Sequence, residues 1–258
     1  VSDGGDRRPR VAVFRPDDER IESAVELLRS LGAEPTADPM LEVEPTGAVP
    51  DDAPLVVLTS KTGVELAAEA GWEPGNADLA VIGPATAAAA RDAGWTVDIV
   101  PEEYTSAGLV AALEPRVAGE CVVVARSDHG SDVLLDGLRE AGADVSETVL
   151  YRLSRPAGAG DSAELMAIDE LDAVTFTSSL TVENFLAAAA DRGVSDEARA
   201  GLADAVVGAI GPPTAETAAD RGVDVDVVPD EASFEALATA VVDAFDDESA
   251  DGPDADRR

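Results

Sequence analysis

Ile82-Gly83-Pro84-Ala85-Thr86-Ala87 recurs as Ile210-Gly211-Pro212-Pro213-Thr214-Ala215, and this pair of segments decides how the chain is read. In each, glycine permits a tight turn, proline suits the first turn of a helix, and threonine can bond the free amides there. Each therefore reads as a strand end passing into a helix. Moving outward, both copies continue to a helix-stopping glycine, Gly94 and Gly222, and then to Val-Asp-x-Val-Pro at 97–101 and 225–229. Upstream, Val-Leu-Thr-Ser at 57–60 answers Thr-Phe-Thr-Ser at 175–178, each opening a helix with a Val-Glu pair, Val64-Glu65 and Val182-Glu183. Further upstream, Val-Ala-Val-Phe-Arg-Pro at 11–16 answers Val-Val-Val-Ala-Arg-Ser at 122–127, followed by turns at Gly32-Ala33-Glu34 and Gly142-Ala143-Asp144. Residues 11–115 and 121–245 thus run through one order of signals twice.

Each copy predicts strand, helix, strand, strand, helix, strand, helix, strand, helix. The strands are short Val/Ile/Leu runs, and the helices carry apolar residues at helical spacing, as in Ile21, Val25, Leu28 and Leu31. Such alternation implies α/β architecture with parallel sheets covered by helices on both faces, here two doubly wound domains. The repeat pattern alone puts the cut between them near residue 116. Ligands of such sheets sit beyond the carboxyl ends of the strands. Thr59-Ser60, Thr177-Ser178-Ser179, Gly83 to Thr86 and Gly211 to Thr214 are therefore expected to ring a cleft if the domains face each other.

Of 258 residues, 53 are acidic and 18 basic, a net charge of -35, and Lys61 is the single lysine. Acidic residues lie along the whole chain, which reads as a solvated acidic surface suited to a cytoplasm of high ionic strength, a halophile's habit. The charge argues against nucleic acid or an anionic membrane as partner. Aromatics make up only 3%, so the core is built mainly of Val, Leu, Ile and Ala. One cysteine, Cys121, in a strand-like run, reads as a core thiol, and one histidine with one cysteine cannot supply the usual zinc ligand sets. Without a leader or a membrane-span pattern, the chain reads as soluble and cytoplasmic.

A strand ending in Thr-Ser before a Val-Glu helix, then Ile-Gly-Pro-x-Thr-Ala, then Pro-Glu-x-Tyr-Thr-Ser-x-Gly-Leu at 101–109 resembles the uroporphyrinogen-III synthase family over residues 10–245. The resemblance implies two intertwined flavodoxin-like doubly wound parallel-sheet domains. Residues 9–37 and 158–246 would form one and 50–148 the other, with hinge strands at 38–49 and 149–157 and a disordered acidic tail at 247–258. It also implies the chemistry. Hydroxymethylbilane, whose four pyrroles each bear an acetate and a propionate, loses its terminal hydroxyl to leave an azafulvene. The last ring attacks at its substituted carbon, and a spiro intermediate rearranges so that the ring closes with that pyrrole inverted. Water is lost, no metal or organic cofactor is needed, and the substrate is expected from hydroxymethylbilane synthase. A monomer is expected.

The residues carry two readings each. Gly83, Thr86, Gly211 and Thr214 are good helix starts, and equally could hold substrate carboxylates through amides and hydroxyls. The family's loop is Gly-Pro-Thr-Thr; here Pro213 replaces its first threonine and Thr214 keeps the second. Ser60, Ser178 and Ser179 could be helix caps or carboxylate ligands, and Thr62-x-x-Glu65 suggests a capping box. Lys61 is a solvated charge or the partner of a propionate or acetate. Arg15 and Arg126 end equivalent strands, with Arg15 the better candidate to meet a polyanion. Tyr151, in Thr148-Val-Leu-Tyr-Arg152, could be a packed strand aromatic; the resemblance makes it the catalytic residue, donating to the departing hydroxyl. His129 reads as part of an ordinary turn. The alternative to an enzyme is a non-catalytic, tetrapyrrole- or small-anion-binding regulatory module on the same scaffold. A dinucleotide protein is disfavoured because neither first-strand loop carries Gly-x-Gly-x-x-Gly.

Overall fold

The apolar run at 11–14 opens in β1, Arg10–Val13, in a computed structural model that describes residues 7–17 and 19–250. It leads to α1, Glu19–Ser30, which buries Ile21, Ala24 and Leu28 on one face, and then to β2, Glu34–Ala37. Gly32, at φ 90°, makes the left-handed turn between them, a conformation that glycine adopts without a Cβ clash. β3, Glu42–Pro45, follows, then β4, Leu55–Leu58, α2, Lys61–Glu69, β5, Asp78–Val81, α3, Pro84–Asp92, and α4, Ser106–Val117. Next come β6, Cys121–Ser127, α5, Asp132–Glu140, β7, Asp144–Ser154, α6, Asp161–Ala167, and β8, Ala173–Phe176. After them come α7, Ser179–Arg192, α8, Ser195–Asp204, β9, Val206–Ala209, α9, Pro212–Asp220, and α10, Phe234–Ala250.

The chain divides into two compact units. Among the described residues, one takes those up to Glu42 together with those from Ser154 onward, and the other is Val43–Leu153. The first holds a sheet in the order β2-β1-β8-β9, all parallel, with Ala12 opposite Thr36 and Val174, and Thr175 opposite Gly208. The second holds the order β3-β7-β6-β4-β5, in which β7, β6, β4 and β5 run parallel. A cut at residue 116 does not describe this arrangement, because β6, which follows it, pairs with all of β4, which precedes it.

Alternate side chains of each strand go to opposite faces, and both faces are covered. In the first unit Ala12, Phe14, Val174, Phe176 and Val207 pack with Val182 and Phe185 of α7, while Val11, Val13, Ala173 and Val206 pack with Leu28 of α1 and Val241 of α10. In the second, Val56, Leu58, Leu79 and Val81 meet Val64 and Ala87, whereas Leu55, Val57, Ala80 and Val122 meet Leu109 and Leu138. Strands buried on both faces explain the unbroken Val/Leu runs.

The details depart from the sequence pattern at several points. Val-Asp-x-Val-Pro forms no full strand in either copy; single parallel bridges, Ala80 to Ile99 and Gly208 to Val227, stand in its place. β7 is one strand across residues expected to be two elements, and a bulge where Arg126 and Ser127 pair with Val149 and Tyr151 lets it bend. The helix after Ser178 is broken at Gly193, which caps α7 at φ 71° before α8 begins. α10 continues to Ala250, beyond the expected start of the acidic tail; residues 251–258 lie outside the described residues. Cys121 is exposed, not a core thiol, because it is the first residue of β6 and the burial of that strand starts at Val122. Among the described residues, no helix is long and apolar enough to cross a membrane.

Candidate functional site

The shared loop residues fall at the carboxyl ends of the strands in both units. In Val43–Leu153, β4 ends at Leu58, and two residues on, Ser60 becomes the N-cap of α2, its hydroxyl accepting the Gly63 N–H at 2.9 Å. The expected Thr62–Glu65 capping box does not form, because the chain turns into the helix two residues earlier and Ser60 takes the cap. Ser60 also accepts a hydrogen bond from the Tyr151 phenol at 3.0 Å. Tyr151 is buried, packed with Leu58, Val64 and Leu150, so its ring is fixed by the core while its hydroxyl reaches the end of β4. Lys61, at the first position of α2, is exposed and ion-pairs with Glu65 at 3.3 Å.

The bend of β7 at Tyr151 has its own fastening. Asp128 donates its backbone N–H to the Tyr151 carbonyl at 3.2 Å, and its carboxylate accepts the Leu153 N–H at 3.0 Å. Burial works to raise the Asp128 pKa, but the hydrogen bonds from His129 and Leu153 outweigh it and hold the carboxyl below its ordinary value of 3.8. His129 is thereby engaged at 2.8 Å with Asp128. Arg126 does not offer its charge to a ligand. It is buried, with Nε on Glu147 at 2.6 Å and a second nitrogen on the Ser131 carbonyl at 2.6 Å.

The start of α3 is capped by Gly83 in extended conformation, with no side-chain hydrogen bond and with Pro84 in the first turn. Thr86 follows, 4% exposed. In the other unit α9 repeats the pattern with Gly211, Pro212 and Thr214, also 4% exposed. Neither threonine hydroxyl bonds to a described residue, and no enclosed side-chain oxygen or nitrogen among those residues lacks a partner, so each hydroxyl keeps an edge open to solvent. The two helix starts differ in one respect. Pro212 and Pro213 have no N–H, and the Thr214 N–H is taken by the Gly211 carbonyl at 3.1 Å, so the amides expected within the first turn of α9 are missing and the N-cap Gly211 supplies the N–H that remains. At α3 Ala85 retains an N–H in the first turn, where helix amides lack intrahelical partners.

Ser178 caps α7 in a reciprocal box with Thr181, at 3.3 and 3.2 Å. Thr177 donates to the Phe14 carbonyl at 2.8 Å, a bond that ties β8 to the end of β1. Ser179 donates to the Pro213 carbonyl at 3.2 Å and accepts from Thr217 at 2.7 Å, which brings the starts of α7 and α9 together. Arg15, just beyond β1, lays its guanidinium over the Phe234 ring, 5.0 Å from its centroid. Arg155 ion-pairs with Asp191.

The structure thus brings together Ser60, Lys61 and Tyr151 in one unit, and Ser178, Ser179, Gly211 and Thr214 in the other. Hydroxyls and helix-start dipoles dominate both sets, an arrangement that suits carboxylates. Among the described residues no three His, Cys, Asp or Glu side chains gather to hold a metal ion. Sequence reasoning missed Asp128, whose signal, an acidic residue beside the lone histidine, gives no hint that it fastens β7 at Leu153.

A family model described as uroporphyrinogen-III synthase HemD matches residues 22–239. A protein of Methanothermobacter thermautotrophicus, provisionally named uroporphyrinogen-III synthase, is 37% identical over 230 residues, covering 83% of this chain and 90% of that one. The uroporphyrinogen-III synthase of Synechococcus elongatus is 29% identical over 233 residues, covering 83% and 87%. Among solved structures, a mutant uroporphyrinogen III synthase of the extreme thermophile Thermus thermophilus superposes with a TM-score of 0.64 at 21% identity, over 94% of this chain and 98% of that one, a likeness of fold.

Proposed function

The chain belongs to the uroporphyrinogen-III synthase family, and from that premise we propose how its residues carry out the reaction. It is an enzyme of tetrapyrrole biosynthesis acting on a small-molecule substrate. The substrate of the proposal is hydroxymethylbilane, received from hydroxymethylbilane synthase. Loss of its hydroxyl as water leaves an azafulvene, and attack by the substituted carbon of the last pyrrole gives a spiro intermediate that rearranges to the inverted ring.

The observation that carries the residue roles is the Tyr151 phenol, held by the core and donating to Ser60. A phenol so placed can turn its proton from Ser60 to a departing hydroxyl without moving its ring. Ser60, Lys61, Gly83 and Thr86 take substrate carboxylates in one unit, and Arg15, Ser178, Ser179, Gly211 and Thr214 take them in the other. Thr214 acts there through its hydroxyl and Gly211 through its own N–H, since the prolines have removed the amides of the first turn. Lys61 would exchange Glu65 for a propionate or acetate, a small loss because the present pair is exposed. Most of the rate comes from holding the bilane so that one pyrrole carbon reaches the azafulvene and its competitor does not.

The same premise favours a duplicated, intertwined pair of flavodoxin-like units, 9–37 with 158–246 and 50–148, joined by hinge strands at 38–49 and 149–157. Its support is the strand exchange, in which β1 and β2 of the first copy share a sheet with β8 and β9 of the second. The division at Glu42/Val43 and Leu153/Ser154 also lies inside β3 and β7. A cytoplasmic monomer completes the proposal.

The test feeds enzymatically made hydroxymethylbilane to the purified protein in high salt and analyses the oxidised porphyrin isomers. The inverted isomer is expected. With folding confirmed, formation of the uninverted isomer alone would sink the assignment. Tyr151→Phe is expected to lower turnover about tenfold, less than the roughly 100-fold typical of an irreplaceable general acid. Wild-type turnover in that variant would remove Tyr151 from the chemistry.

A further inference from the structure

Among the described aromatic side chains, Tyr104 is the one left mostly in water, at 59% exposure, whereas its fellow tyrosine and the five phenylalanines lie in or against the cores. Its place is built. The Thr105 N–H bonds the Glu103 carbonyl at 2.8 Å, and Thr105 caps α4 by accepting the Gly108 N–H at 3.0 Å. Gly108 has to be glycine for this loop to close, because a Cβ there would lie 2.0 Å from the Glu103 oxygen. The backbone on both sides of Tyr104 is therefore held, and its ring rests on Gly83 at the start of α3. A Cβ on Gly83 would lie 3.3 Å from Tyr104 Cβ and 3.4 Å from Cγ. On the same first turn stands Thr86, almost buried and with no hydrogen-bonding partner among the described residues.

The second copy shows what the same loop does without the ring. Ser233 caps α10 there, accepting the Ala236 N–H at 3.2 Å, as Thr105 caps α4, which aligns Pro229-Asp-Glu-Ala232-Ser233 with Pro101-Glu-Glu-Tyr104-Thr105. The position of Tyr104 is then held by Ala232, and a Cβ on Gly211 would meet nothing within 4 Å. The start of α3 has a covering aromatic, a first-turn N–H and a threonine hydroxyl; the start of α9 is open and keeps the hydroxyl and the Gly211 N–H but no free N–H in its first turn. Two copies of one loop have become unlike.

We propose that Tyr104 is a substrate-positioning residue whose ring face seats one pyrrole of the tetrapyrrole, while a carboxylate of that pyrrole lies at the start of α3 beside Thr86. The inference rests on the family reading above and deepens it, since a reaction that inverts one ring of four has to tell its rings apart, and two identical loops would not. A flat, electron-rich ring on a fixed loop presents its face to another flat ring without ordering a flexible side chain.

The experiment measures steady-state kinetics and product isomer on hydroxymethylbilane for the full chain and for Tyr104→Ala and Tyr104→Phe, with far-UV circular dichroism to confirm folding. Tyr104→Ala is expected to raise KM about five- to tenfold, the size of one lost aromatic contact, with a smaller fall in kcat. Tyr104→Phe recovers most of that loss, because the face and not the hydroxyl carries the contact. An unchanged KM in folded Tyr104→Ala overturns the proposal, as does a Tyr104→Phe variant as weak as Tyr104→Ala. If the wild-type chain itself makes no inverted isomer, the family reading fails first, and that outcome is separable from a failure confined to the Tyr104 variants.

Discussion

Removing the Ser60 hydroxyl should make a second mutation helpful that is harmful on its own. Ser60 has two roles, accepting the Gly63 N–H as the cap of α2 and accepting the Tyr151 phenol. Ser60→Ala loses the cap, about 1 kcal/mol, and leaves the phenol without its acceptor, about 1 kcal/mol more at the low end of the range because the pair is only part-buried. Tyr151→Phe alone forfeits one hydrogen bond, about 1 kcal/mol, while Ser60 keeps its cap. In the Ser60→Ala background the same change removes the orphaned hydroxyl and should return about 1 kcal/mol. The sign therefore reverses, and the coupling is about 2 kcal/mol. Urea unfolding at high salt, followed by tryptophan fluorescence, reads the right part of the molecule, because Trp72 and Trp95 both lie in Val43–Leu153, 5.1 Å apart and edge to face. If Tyr151→Phe costs the same in both backgrounds, the Ser60–Tyr151 bond is not the link described, and the case for a phenol poised on Ser60 falls with it.

The remaining predictions concern acid stability and packing. The Asp128 pKa is held below 3.8, so its contribution to stability is full above that value and is lost as pH falls through the lower folded pKa. Asp128→Asn should flatten the acid limb below about pH 4, and a limb identical to wild type in tryptophan-monitored unfolding from about pH 2 to 6 would contradict the sign. Gly201 in α8 packs on α6 so tightly that a Cβ would lie 2.2 Å from the Met166 carbonyl oxygen. Gly201→Ala should cost about 3 kcal/mol, with backbone and not a flexible side chain in the way. Circular dichroism melts would show it, a loss under about 1 kcal/mol being the refuting result. Asp38, buried, accepts the N–H groups of Gly160 and Ser162 and the Ser162 hydroxyl. Asp38→Ala should cost about 3 kcal/mol by stranding those donors, and Asp38→Asn clearly less; equal losses would mean that the side chain's volume, not its bonds, matters there.

The parts of this structure that were legible in the sequence are those written locally. Apolar runs alternating with helical patterns point to parallel sheets covered by helices, and Gly83-Pro84 and Gly211-Pro212 do begin helices. What escaped depends on neighbours remote in sequence or on a choice between adjacent caps. Thr62 and Glu65 have the spacing of a box, but Ser60 reaches the first-turn N–H sooner. Arg126 stands at a strand end like Arg15, yet Glu147 on the adjoining strand captures it, and only the register of β6 against β7 reveals that. Pro213 looks a mild departure from a family loop, and its effect emerges once hydrogen bonds are counted group by group, because a proline removes a donor as well as changing a side chain. Tyr104 stands in the Pro-Glu-x-Tyr motif with nothing to mark a role of its own; its exposure and its seat on Gly83 are properties of folded geometry.

The pairing of β1 with β8 also sets a timetable for the chain at birth. Val11 finds its partner at Ala173, so on the ribosome the first strand waits for more than half of the chain to be made. At about 5–20 residues per second that is a delay of roughly 10–30 s. During it, β1, α1 and β2 exist with an apolar flank that nothing yet covers, while Val43–Leu153 can already close its own sheet. Contacts of such long sequence separation slow folding, and the abundance of acidic charge gives nascent chains a reason to repel one another through the interval.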